Sequence, residues 1–192
     1  TPPGTTTTFE VGKMHLAGDT TVTVDTSKGS YAMYATGTGS SIASETMDGT
    51  SASGVYDVTG NLVANKAGQI VLNAIGVSRF TGDLVSSNTG SLVQVSYAGT
   101  SALAGDVDAS DSGVSKQNIS GNASGTGTLT AKTGGQIELG LTDHSSLSAN
   151  MTTDATGIMT GNLEGFARYT GSTDASAGGT SSLNLADNDI WQ

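Results

Sequence analysis

Two stretches of the chain, RFTGDLV (Arg79 to Val85) and DVTGNLV (Asp57 to Val63), carry nearly the same text. Each reads apolar, Thr-Gly, polar, apolar, and Phe80 stands 22 residues after Val58. Stepping onward at that distance meets Leu103, Gly125, Leu147, Tyr169 and Trp191; stepping back meets Ala35, with Leu16 a looser match. From Ala35 the steps are 23, 22, 23, 22, 22, 22 and 22. A register held that long identifies the echo as one unit of a repeat.

Two columns of turn formers keep the same period. Gly54, Gly76, Gly99, Gly121, Asp143, Gly165 and Asp187 precede the anchors by four positions; Gly68, Gly90, Gly113, Gly135, Gly157 and Gly179 follow them. Both columns are expected to mark bends with positive φ. Alternating apolar stripes lie between them, as in Ile70, Leu72 and Ala74, or Ile137, Leu139 and Leu141. Period-two alternation means strands with one face inward. No helical period occurs. Strands and corners repeating every 22 residues predict an all-β parallel β-helix, a β-solenoid of about eight coils.

Composition agrees. Gly makes up 28 of 192 residues, aromatics 5% and charged residues 12%, the last about half the usual globular share. Net charge is -10, and the seven basic residues are scattered, which argues against nucleic-acid binding. There is no Cys, so backbone pairing and stacked apolar rows must supply the stability. TPPGTTTT opens the chain, and residues 1–15 read as an extended or disordered leader before a single rod over 16–192. With no initial Met, and NDIWQ at the other end, the chain reads as part of something longer.

One coil breaks the pattern. Gly125 replaces an apolar anchor, Ser115 and Gln117 stand at inward positions, and DVDASDSG (Asp106 to Gly113) precedes them. The expectation is a loop or bulge over 106–124. Asp108, Asp111, Gln117 and Asn118 are its candidate binding residues.

GGQIELGLTDHSSLSANM, GIMTGNLEGFARYTGS and GGTSSLNLADNDIWQ, all in the last third, resemble the passenger domains of Gram-negative autotransporters of the pertactin-like and AIDA-like group. There a strand of alternating apolar residues leads into Asp or Gly with Asn, Gly or Ser, an aromatic and Thr-Gly. Here Leu183, Leu185, Asp187, Asn188 and Trp191 match, as do Leu139, Leu141, Asp143, Ser145 and Leu147. The resemblance runs from about Ala35 onward. It implies a right-handed β-helix at the bacterial cell surface or secreted, acting in adhesion, aggregation or biofilm formation. It also implies a β-barrel translocator in cis, absent after Gln192. Partners would be host matrix, a cell-surface glycan or protein, or another copy on a neighbouring cell. The alternative is a passive stalk displaying a functional region elsewhere.

Three residues after each anchor stand Thr38, Asn61, Asp83, Asp106, Thr128 and Asn150, then Ser172. As a binding row they would offer polar groups one strand spacing apart to sugar hydroxyls, Ca²⁺ or another rod. As structure they are a corner or a solvated strand face with polar ladders. His15 and His144 lie 129 positions apart without zinc-type spacing, and SDSG (Ser110 to Gly113) has no identifiable triad. No catalytic residue, cofactor or metal ligand is expected, and the chain does not read as an enzyme.

Overall fold

The computed structural model describes residues 6–10, 12–23, 31–46, 48–186 and 189–192, with side chains from residue 12 onward. Among these residues there are strands and turns and no helix, so no helix is long and apolar enough to cross a membrane. The strands stack in parallel coils, which makes the protein a β-solenoid.

A coil presents three faces. The first ladder runs through Lys13–Ala17, Ser41–Ala43, Gln69–Ala74, Leu92–Tyr97, Val114–Ile119, Gln136–Asp143, Ile158–Gly165 and Thr180–Leu185. A second, through Tyr56–Thr59, Arg79–Thr81 and Ala102–Ala104, carries the anchors; a third runs through Asn61–Asn65, Leu84–Ser87 and Val107–Ser110. In the next two coils the second and third faces share one continuous strand each, Ser124–Lys132 and Ser146–Thr153.

About six turns have the regular step, with first-ladder strands starting at 69, 92, 114, 136, 158 and 180. The two coils before them are longer, since Lys13 pairs with Ser41 and Ser41 with Gln69, steps of 28. Part of that length is an excursion after Ser44, closed by a turn in which Thr46 donates to Asp48 and Asp48 Oδ1 accepts the Thr50 N–H at 3.1 Å. The Thr46 hydroxyl and the Thr50 backbone hold the Asp48 carboxyl down at about 2. The long coils correct the register at the N-terminal end. Ala35 pairs with Ala64 on the third ladder, and the true partner of Val58 is Val22. The described part of the 1–15 segment is ordered strand: Thr6–Glu10 pairs antiparallel with Lys13–Ala17.

Inside, the expected apolar rows stack. Val58, Phe80, Leu103, Leu147 and Tyr169 are buried, and Phe80 meets Tyr97 edge-on with ring centroids 5.3 Å apart. Core packing accounts for the anchor column. Trp191, in the last coil, is 49% exposed.

The expected loop at 106–124 is absent. Val107–Ser110 and Val114–Ile119 are strands, and the second pairs along all six residues with Leu92–Tyr97 on one side and the Gln136–Asp143 strand on the other. Gln117 is buried at 1% exposure in an uninterrupted stack. Two local adjustments keep it there. The Gln117 Nε2 donates to Ser115 Oγ at 2.9 Å, pairing the two polar groups inside the core. A Cβ on Gly125 would lie 2.8 Å from Leu147 Cδ1, so the neighbouring leucine fills most of the missing volume. What remains is a cavity of about 10 Å³, and a Gln117 Oε1 without a hydrogen-bond partner.

Candidate functional site

The corner between the second and third faces collects five of the six row residues. Asn61 Oδ1 accepts the Asp83 N–H at 2.9 Å, Asp83 Oδ1 the Asp106 N–H at 3.1 Å, and Asp106 Oδ1 the Thr128 N–H at 2.8 Å. The relay resumes at Asn150, whose Oδ1 accepts the N–H and the hydroxyl of Ser172 at 3.1 and 3.0 Å. Each side-chain acceptor thus satisfies a backbone donor of the next coil, where the chain bends and cannot use a regular ladder bond. The row is first of all a structural device. Thr38 is not part of it: it sits exposed in the turn between Tyr31–Thr36 and Ser41–Ala43.

The other candidates separate as well. Gln117 faces the core, and Asp111 occupies a turn at φ 51. Asp108 lies on the third face, pairing in register with Val85 and Thr130. Partial burial raises the Asp108 carboxyl above the usual range; Lys132 opposes this, Asp106 and Asp83 add to it, and the Thr130 hydroxyl opposes it. Among the described residues no group of three His, Cys, Asp or Glu is placed to hold a metal ion.

Asn118 points the other way, to solvent on the first ladder, where it belongs to a column that the 22-residue period does contain. Asn73, Ser96, Asn118, Gly140, Asn162 and Asn184 are in register, each on an outward position of its strand. Beside it runs a second outward column of Val71, Gln94, Lys116, Glu138, Thr160 and Ser182. Lys116 Nζ and Glu138 Oε2 pair across adjacent coils at 2.7 Å, and Asn184 Nδ2 donates to Asn162 Oδ1 at 2.9 Å. Reading inward positions alone missed these columns; the residues between the apolar ones were the signal.

The two polar surfaces differ in what they leave available. Corner acceptors are engaged with backbone, whereas the first-ladder columns project amides, an amine, a carboxylate and hydroxyls outward from the sheet. Where Gly140 interrupts the Asn column, a groove of about 510 Å³ opens between Lys116, Asn118, Glu138, Thr160 and Asn162.

Fold and face together define a β-solenoid with a polar outward face on its first ladder. Comparison with protein-family models, curated proteins and solved structures finds no match.

Proposed function

We propose that the chain is a surface rod acting in adhesion or self-association, exported in the manner of the autotransporter passengers it resembles, and that it binds through the first-ladder face. The observation supporting this is the double column of outward-facing polar side chains on that face, one strand spacing apart. Contacts along such a face are individually weak and gain strength by repetition. At net charge -10, two rods would approach only when salt screens their repulsion.

The experiment displays the rod on bacterial cells and scores clumping and attachment to matrix-coated surfaces. The triple variant Asn118→Ala, Asn162→Ala, Asn184→Ala is expected to reduce one of them severalfold without loss of β-sheet circular dichroism. A rod that works in neither assay rejects the adhesive role, and a triple variant equal to a working parent rejects the first-ladder face as the binding surface. The second reading, a passive stalk, is favoured by the evenly stepped coils from residue 136 onward and by the structural use of the corner row.

A further inference from the structure

Among the described residues, glycines within strands occur at 125, 127, 140, 161 and 165. For four of them packing gives the reason. A Cβ at Gly125 or Gly161 would come within 2.8 or 2.5 Å of a leucine methyl, and one at Gly127 or Gly165 would press on backbone at 2.0 or 3.1 Å. Gly140 is the exception. Its outward Cβ would meet only Asn118 Oδ1, at 3.1 Å, the end of a flexible exposed side chain. Glycine weakens a strand interior relative to alanine, and here no backbone contact demands it.

The missing side chain leaves a gap in a groove of about 510 Å³ that runs from Gln94 to Asn184, within the ordinary range of small-molecule sites. Asn118 and Asn162 stand on either side of Gly140, two strand spacings apart, or roughly 9.6 Å. That gap admits one pyranose ring with its hydroxyls. Carboxamides donate and accept, as sugar hydroxyls do. Asn162 is held by its bond from Asn184, and the Lys116–Glu138 pair lines the groove. Because that pair is internally neutralised and the chain is at -10, the groove suits a neutral ligand over an anionic one.

We infer that the Gly140 notch is a binding subsite for a neutral pyranose saccharide, held between Asn118 and Asn162 against Lys116 and Glu138. This rests on the first-ladder face being the recognition face, and it names what that face recognises.

The test titrates the folded chain with maltotetraose, cellotetraose, tetra-N-acetylchitotetraose and, as the anionic control, tetragalacturonate, following the side-chain amides of Asn118 and Asn162 by NMR. Concentrations reach about 10 mM, enough to detect a millimolar Kd. At least one neutral tetrasaccharide is expected to give saturable shifts at both amides, and tetragalacturonate none. Gly140→Asn, which continues the Asn column into the notch, is expected to keep or raise the melting temperature while weakening that saccharide at least about tenfold, roughly 1.4 kcal/mol. Lack of saturable shifts, equal binding by Gly140→Asn, or preference for tetragalacturonate overturns the inference. Cell clumping and attachment are scored in parallel. Adhesion without saccharide binding removes the subsite and leaves the adhesive rod standing; saccharide binding without adhesion removes the adhesive role and keeps the subsite.

Discussion

The carboxylate Oδ1 of Asp106 accepts the backbone N–H of Thr128, 22 residues further on, at 2.8 Å. One turn of the solenoid separates the two residues, so the bond ties adjacent coils at the bend between the second and third faces. The same relation links Asn61 to Asp83 and Asp83 to Asp106.

If these acceptors are structural, removing one should lower stability and leave the binding face alone. Asp106→Ala is expected to cost about 1 kcal/mol in thermal unfolding, and Asp106→Asn, which keeps an acceptor, less than half of that. Clumping or attachment should not change in either variant. A loss of adhesion at unchanged stability would return the corner to the list of binding surfaces.

Gly127 sits beside this bond at φ 148, and a Cβ there would lie 2.0 Å from the carbonyl oxygen of Gly105. Neither coil can give way without breaking the ladder. Gly127→Ala should therefore destabilise by more than about 2 kcal/mol, through backbone strain and steric conflict. Denaturant unfolding measures it, and a near-neutral result would mean that the coils are spaced more loosely at this corner than the 2.0 Å approach requires.

Inside the rod, Gln117 keeps a buried Oε1 with no partner, next to Ser115. The coils on either side place Val93 and Val95, or Ile137 and Leu139, at the same positions. The double variant Ser115→Val, Gln117→Leu should stabilise the rod by about 1–3 kcal/mol, since it removes an unsatisfied acceptor and restores the apolar rows. A lower melting temperature would show that the Gln117–Ser115 bond contributes more than the unpaired oxygen costs.

Asp108 gives a pH dependence of unusual sign. Partial burial holds its carboxyl above the ordinary range, with Lys132 and the Thr130 hydroxyl opposing the shift and Asp106 and Asp83 adding to it. Folding therefore favours the protonated form. The stability this group contributes is fully present below its unfolded value, about 3.9, and is lost as pH rises through the higher folded value. Asp108→Asn is expected to melt higher than the parent at pH 7, and the gain should shrink as pH falls through the raised folded value and be gone below about 4. A gain that grows on acidification would contradict the assignment.

Much of the fold was legible because a solenoid repeats short-range information. The glycine column at Gly76, Gly99, Gly121 and Gly165 has positive φ as expected, and Asp143 adopts φ 61 at the same corner, while Gly54 is not at positive φ and is glycine because a Cβ would lie 2.3 Å from the Gly18 carbonyl oxygen. The later column divides. Gly90 is at φ 83, but Gly68, Gly113, Gly135 and Gly157 are not at positive φ; they are glycine because a Cβ would lie 2.0–2.5 Å from a carbonyl oxygen of an earlier coil. Torsional freedom and close approach leave the same letter in a sequence.

By itself, the sequence determined the strand period, the inward rows from Val58 onward and the corner positions, all of which depend on alternation and turn chemistry within one coil. The tertiary structure alone decided the pairing of Ala35 with Ala64, because the two 28-residue coils break the count. It also decided that Gln117 stays inside, because Leu147 comes from the next coil to fill the place beside Gly125. Last, it decided that the Asn61–Asp106 acceptors serve the backbone while Asn118 and Asn162 face solvent. Whether a polar side chain is engaged or available depends on the coil stacked against it, and that neighbour lies 22 residues away.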